Sequence, residues 1–268
     1  MHNKYVFNHD SFRDPPSAWG EPLITAMDVG HTYKSSPVIS GKSQDGAEEK
    51  PGQEELFVIS KKEGFVFDHV QLCVDERAKI CILGDNGSGK SVLLRLLAKL
   101  ELPTEGDVHH ASGVEVGYFD QTEVDNILEE TTDSKTTALS YLQKHFPQKT
   151  EHELRAELTS YGLSPAQATK TPLRFLSGGE RSRLCLAKLM LPDPPVLFLD
   201  NPTSNLDVES VQAMVYGLRR WNGTLVVVSH DANFIRSLEL QCYALVQPEG
   251  KLRRVEGGID AYLKAFRG

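Results

Sequence analysis

The sequence predicts an α/β protein built on a mostly parallel sheet, and three observations lead there. Apolar runs of strand length, "KICIL" from Lys79, "PVLFLD" from Pro195 and "TLVVVSH" from Thr224, are continuous, as expected of strands buried on both faces. Segments with helical spacing of apolar residues separate them, the order that parallel strands need for their crossovers. With 268 residues, 40% of them hydrophobic, the chain can bury a sizeable core as one large domain or two closely apposed ones.

In chain order, "EPLITAMDVGHTY" from Glu21 reads as an extended segment after a polar lead. Residues 35–55 shift to Ser, Gly, Lys, Asp, Glu and Pro, the composition of an exposed, mobile insertion. Strand signals resume at "LFVIS" from Leu56, "GFVFDHVQLCV" from Gly64 and "KICILG" from Lys79, rich in β-branched and aromatic residues. A helix is predicted from Ser91 to about Leu100, and a short strand in "VEVGYFDQ", from Val114 to Gln121. From Val124 to about Lys170 the chain is polar and helix-prone, with apolar residues at helical spacing in "ALSYLQKHF" and "ELRAELTSYGL". Arg181 to Leu191 is again helical, and a helix from Val208 to Trp221 separates the last two apolar runs.

Composition excludes several function classes. No segment approaches the ~20 apolar residues that span a bilayer, and "MHNKYVFNHDSF" has no apolar core for a secretory signal. A soluble, cytoplasmic protein is expected. The net charge of −8 argues against wrapping nucleic acid through a generally basic surface. Cys73, Cys81, Cys185 and Cys242 lie too far apart for a close-spaced pair of metal ligands, so reduced and mostly buried thiols are expected.

The stretch Gly84, Asp85, Asn86, Gly87, Ser88, Gly89, Lys90, Ser91 fits G-x-x-x-x-G-K-[ST], between a predicted strand and an apolar helix. Glycines let successive backbone N–H groups turn inward on phosphate oxygens, and the helix N-terminus adds a partial positive charge. Lys90 is placed to reach β- and γ-phosphates and the Ser91 hydroxyl to bind Mg²⁺. Alone, this motif specifies a nucleoside triphosphate and nothing finer.

Further motifs follow in order: "YFDQ" (Tyr118 to Gln121), "LSGGE" (Leu176 to Glu180), "VLFLDNPTSNLD" ending at Asp207, and "VVSHD" (Val227 to Asp231). With the phosphate loop, they resemble the Walker A, Q-loop, signature, Walker B plus D-loop, and switch motifs of ATP-binding cassette proteins. The resemblance runs from about Glu21 to the end of the chain. It implies a P-loop NTPase fold over residues 21–268, with a mostly parallel core sheet, an N-terminal antiparallel β subdomain and a helical signature subdomain at about 124–190. Residues 1–20 would be the remnant of a linker or lead, and ATP and Mg²⁺ the cofactors.

Within the cassette proteins the sequence is most similar to the ABC-F class, particularly the C-terminal cassette of its eukaryotic members, which are soluble twin-cassette proteins of translation and ribosome function. "YFDQ", Glu180, "VVSHDANFI" and the tail "RRVEGGIDAYLKAF" carry that similarity. One copy of each motif is present, so the chain resembles the second half of such a protein. The resemblance therefore implies a second cassette as partner, through homo- or hetero-association, and a ribosome or translation factor as a further partner. A rival reading is the nucleotide-binding subunit of a membrane transporter.

Each motif residue has a role by this resemblance and a plainer alternative. Ser177 and Glu180 can form a capping box, while Ser177, Gly178 and Gly179 can present N–H groups to the γ-phosphate of a nucleotide held by the facing cassette. Gln121 would bind Mg²⁺ or water and report occupancy to the helical region, or is an ordinary strand-terminal glutamine. His230, at a strand's carboxyl end, would donate to the γ-phosphate, or is a capped or solvated histidine. Tyr33 stands where the family stacks adenine on an aromatic ring, or is a core tyrosine. Asp200 suits the Mg²⁺ shell, and Asp207 can cap the next helix within the D-loop.

Asn201 departs from the pattern. Cassette ATPases carry glutamate there to activate or orient water, and an amide cannot take up a proton near neutral pH. Loss of a positioned base costs about 10²–10⁴ in rate, so binding of ATP with weak hydrolysis is expected. The alternative is an active ATPase that positions water through other groups. As a turn opener, Asn-Pro also explains why asparagine is tolerated at this position.

Overall fold

The computed structural model describes residues 22–32, 65–131, 133–204 and 206–267; the lead of residues 1–20, Tyr33, the insertion at 35–55 and the expected strand "LFVIS" lie outside them. In chain order the elements are β1 (Ile24–Thr32), β2 (Phe65–Val74), β3 (Lys79–Leu83), α1 (Lys90–Leu97), β4 (Glu105–His110), β5 (Val116–Phe119) and α2 (Gln121–Glu129). Then come α3 (Ala138–His145), α4 (Glu151–Ser160), α5 (Pro165–Thr169), a 3₁₀ turn at Leu173–Phe175, α6 (Gly178–Met190) and β6 (Val196–Asp200). The chain ends with α7 (Val208–Arg220), β7 (Thr224–Val228), α8 (Ala232–Ser237), β8 (Gln241–Val246), β9 (Lys251–Arg254) and α9 (Gly258–Arg267).

The strands form two sheets. One is antiparallel with order β2-β1-β4, and the other has order β5-β6-β7-β3-β8-β9, parallel throughout except for β9 against β8. The three apolar runs read from the sequence are the adjacent central strands β6, β7 and β3. None of their residues from Ile80 to Leu83, Val196 to Leu199 or Leu225 to Val228 is more than 3% exposed. Alternation explains this: Ile80, Ile82, Phe198, Val226 and Val228 pack with α1 and the antiparallel sheet. Cys81, Leu83, Leu197, Leu199, Leu225 and Val227 pack under the helices on the other side. Fully burying a side chain such as Phe198 contributes about 1.5–3 kcal/mol, so a sheet covered on both faces needs the unbroken apolar runs that the sequence supplies.

The polar stretch after β5 forms four short helices because side-chain caps punctuate it. Thr137 with Ser140, Thr150 with Glu153, and Ser164 with Gln167 each make a reciprocal capping box, the last with Pro165 opening the helix. Leu142, Leu154 and Leu158 point inward and are fully buried. A second kind of anchor sits at the turn between β2 and β3. The buried Thr224 hydroxyl accepts from Arg77 N–H at 2.8 Å and donates to the Asp75 carbonyl at 3.2 Å, tying that turn to β7.

Several sequence boundaries need correction. Helix α1 begins at Lys90 and ends at Leu97 instead of about Leu100, because Lys99 turns to φ +58°. The strand expected to reach Gln121 stops at Phe119: Asp120 accepts the Glu123 N–H at 3.0 Å and caps α2, so Gln121 opens a helix. Strands β4, β8 and β9 and helices α8 and α9 were not expected. All four cysteines are free, with Cys73 exposed and the other three buried.

Candidate functional site

The phosphate loop runs from the carboxyl end of β3 into α1. Gly89, the residue before α1, has φ +96°, and a Cβ placed there would stand 2.5 Å from Val66 Cγ1 on β2, so this position needs glycine on both counts. Behind Gly84 lies the Leu245 carbonyl, 2.8 Å from where a Cβ would fall. The loop is thus backed by β2 on one side and β8 on the other. Lys90 folds across it, donating to the carbonyls of Gly84 at 3.0 Å and Asp85 at 2.6 Å. Burial lowers the pKa of its ammonium, while Asp85 and Asp200 pull the other way. Ser88 is buried and its hydroxyl finds no partner among the described residues.

Asp200, at the end of β6, is 8% exposed. Burial pushes its carboxyl above the ordinary range, opposed by the Ser91 hydroxyl and by the charges of Arg95 and Lys90. Asn201 follows with φ +47°, a left-handed conformation that asparagine adopts more readily than longer side chains. Its backbone N–H donates to the Val228 carbonyl at 2.8 Å, and its carbonyl accepts from Ser204 N–H at 3.1 Å. Its side-chain amide donates to Asp200 Oδ1 at 3.0 Å. His230, just beyond β7, is exposed; burial of part of its ring lowers its pKa and Lys90 adds to this, opposed by Asp200. Residues more than 100 positions apart in the chain therefore share one electrostatic neighbourhood at the carboxyl ends of β3, β6 and β7.

These residues fit a phosphate-bearing ligand with a hard cation. The glycines keep the backbone close, Lys90 offers a donor, and Ser91 with Asp200 offers oxygen ligands of the kind that Mg²⁺ takes. The Asp200 carboxylate and Lys90 ammonium can hold opposite charges in place before any ligand arrives. Gln121 is positioned at the start of α2, directly after β5, the neighbour of β6.

Ser177 caps α6 in a full capping box: Glu180 Oε2 accepts the Ser177 N–H at 2.7 Å, and Ser177 Oγ accepts the Glu180 N–H at 3.3 Å. Gly178 and Gly179 form the first turn of α6, and a Cβ on Gly178 would meet nothing within 4 Å, so this end of the helix opens outward. Asp207 caps α7, accepting from Ser210 N–H at 2.7 Å and Ser210 Oγ at 2.5 Å, and these bonds hold its carboxyl below the usual range. Phe175, two residues before Ser177, and Val208, one after Asp207, are 67% and 73% exposed.

The family model described as "ABC transporter" matches residues 67–204, from β2 past the turn after β6. The chain belongs to the ABC transporter family. Among the curated relatives of this cassette are ATP-binding cassette sub-family F member 3 from Rattus norvegicus and from Homo sapiens. Each is 37% identical over 198 residues, 74% of this chain and 27% of the relative. Protein GCN20 from Saccharomyces cerevisiae is 35% identical over 193 residues, 72% of this chain and 25% of its own. The chain therefore spans about a quarter of the length of the curated relatives it matches. In fold the cassette is similar to the dimeric bacterial ABC transporter cassette MJ0796, with a TM-score of 0.62 and 22% identity over 86% of this chain and 96% of that one. A post-hydrolysis dimer of MJ0796 bound to ADP and Pi gives a TM-score of 0.61, again at 22% identity, over 87% and 98% of the two chains.

Sequence reading of the cassette missed three supporting side chains. Gln167 Nε2 donates to Glu180 Oε1, linking the α5 cap to the α6 capping box. Arg183 donates to the Gly162 carbonyl at 3.1 Å and to Asp207 at 3.0 Å, joining the end of α4 to the cap of α7 through α6. Gln247, after β8, reaches the back of the phosphate loop. None of them lies inside a motif, and their partners are 13 to 181 residues away in sequence, so no local pattern could have marked them.

Proposed function

We propose that this chain is an ABC-F-type cassette that binds Mg-ATP and closes against a second cassette, with hydrolysis at its own Walker site weak. The observation that carries this reading is Asn201: its amide donates to Asp200 in a left-handed turn, where a water-activating carboxylate would be needed. Asp200 and Ser91 hold the Mg²⁺, Lys90 and the loop from Gly84 to Gly89 hold the phosphates, and Tyr33 stacks on the adenine. Gln121 binds the Mg²⁺ or its water and reports occupancy to the helical region, and His230 donates to the γ-phosphate. Bound Mg-ATP would supply the phosphate charge that these donors meet and the hard cation that the oxygen ligands take. The cassette occupies residues 21–268, with a helical subdomain at about 124–190 whose outward-facing Ser177, Gly178 and Gly179 serve the nucleotide of the partner. ATP then acts as a conformational ligand, favouring the closed pair by differential affinity.

The fold likeness to a cassette described as dimeric supports the partner, and the sub-family F relatives support the ABC-F reading, from whose resemblance a cytoplasmic role in translation at the ribosome is inferred. No helix among the described residues is long and apolar enough to cross a membrane. Light scattering with and without Mg-ATP tests the pairing: a doubled mass with ATP is expected, and an unchanged mass with nucleotide demonstrably bound refutes it. Single-turnover phosphate release tests the chemistry, since turnover at rates typical of enzymes, 1–10³ s⁻¹, makes the chain an active ATPase. Co-sedimentation with ribosomes supports the translation reading; with membranes only, it favours the transporter subunit.

A further inference from the structure

Gln247 lies outside every motif, on the turn that follows β8, yet it touches the phosphate loop from behind. Its Nε2 donates to the Val66 carbonyl at 3.0 Å and to the Ser88 carbonyl at 3.2 Å. Two carbonyl acceptors fix which end of the amide faces them, because the oxygen would be repelled by both. The two N–H groups of one side chain thus join β2, the phosphate loop and the end of β8.

The consequence for the loop follows from the peptide plane. In a trans peptide the C=O of one residue and the N–H of the next point in opposite directions. Holding the Ser88 carbonyl back toward Gln247 therefore holds the Gly89 N–H forward, away from β2 and β8. Gly89 is free to accept this orientation, with φ +96° and its α-carbon packed against Val66 and Phe67. Without the Gln247 donors, the Ser88 peptide could rotate to satisfy its carbonyl elsewhere, and the Gly89 N–H would leave the face of the loop that carries Lys90.

We propose that Gln247 is a positioning residue for nucleotide binding: by gripping the Ser88 carbonyl it aims the Gly89 N–H at the phosphates. This rests on the phosphate-binding reading of the loop given above. The glutamine also ties the loop to β2 through the Val66 carbonyl.

Gln247→Met keeps the length of the side chain and removes both donors. Mg-ATP and Mg-ADP should each bind about tenfold more weakly, the loss of one hydrogen bond to a charged group. In amide NMR spectra, the Gly89 proton should shift downfield when Mg-ADP is added to the natural chain and fail to do so in the variant. A purely structural brace would lower the nucleotide-free melting temperature and leave that shift in place. Should Gln247→Met melt early, Gln247→Glu carries the same comparison, since it keeps the stem and turns acceptors toward the two carbonyls. Unchanged affinity in both variants, or a Gly89 amide that responds as in the natural chain, overturns the role of Gln247. If the natural chain itself binds no nucleotide, the phosphate reading of the loop fails instead.

Discussion

Replacing Asn201 by glutamate sets a backbone cost against a catalytic gain, and both can be sized. At φ +47°, a residue other than glycine pays about 1–2 kcal/mol for the left-handed conformation, asparagine at the low end and glutamate at the high end. Losing the amide donor to Asp200 removes a partly exposed hydrogen bond of about 1 kcal/mol. A second carboxylate would also stand beside an acid that burial already holds above its ordinary pKa. Together the variant should lose about 2 kcal/mol, a fall in melting temperature of roughly 4–8 °C for a domain of this size. Single-turnover phosphate release should nevertheless rise about 10²–10⁴-fold, the contribution of a positioned base. Asn201→Gln separates the two effects, because it carries the backbone cost without an acid. If Asn201→Glu binds nucleotide but releases phosphate no faster than the natural chain, or if Asn201→Gln gains as much, the argument from the missing acid is wrong.

Three further outcomes are expected. Gly89→Ala should destabilise by about 2 kcal/mol or more in urea unfolding, since it adds a clash with Val66 to an unfavourable φ; Gly87→Ala, with open space around its Cβ, should cost only about 1 kcal/mol. Thr224→Val should cost about 1–3 kcal/mol in the same assay, because at a fully buried position it removes the acceptor of the Arg77 N–H and one of two donors to the Asp75 carbonyl, which keeps the Ala78 N–H. Tyr141→Phe removes the hydroxyl that donates to Glu130 at 2.6 Å and accepts from Lys188 at 2.9 Å. That hydroxyl is the main reason the Glu130 carboxyl is held below its ordinary range. The natural chain should be more stable than this variant by about 1 kcal/mol at pH 7. That part of the difference should remain above the unfolded carboxylate pKa of ~4.3 and disappear as pH falls through the lowered value of Glu130.

What could be read in the sequence was what burial and local geometry dictate. β3, β6 and β7 were legible because strands covered on both faces must be continuously apolar, and the phosphate loop because its glycines, lysine and serine fall at a fixed spacing. Strand β4 was not, since "EGDVHH" places only Val108 in the core, and an edge strand needs no more. The end of β5 was placed two residues too late because Asp120, directly after Phe119, is a helix cap, a role set by its bond to the Glu123 N–H. At Asn201 the sequence showed the missing acid and the turn, but the left-handed backbone and the bond to Asp200 appear only once β6 and β7 are paired. Gln247 was silent because its partners Val66 and Ser88 are 181 and 159 residues away.

The strand order also dictates when the site can exist. Among the described residues β3, which launches the phosphate loop, pairs with β7 and β8, strands that begin roughly 140 and 160 residues after it ends. At ~5–20 residues per second, a growing chain carries β3 unpaired for about 7–28 s before its first neighbour is made. During that interval the apolar "KICIL" segment is an unprotected strand, and the loop after it has neither β8 nor Gln247 behind it. Nascent chains arrested before Thr224 should therefore be captured by chaperones and should not be retained on immobilised ATP, however complete their Walker A sequence.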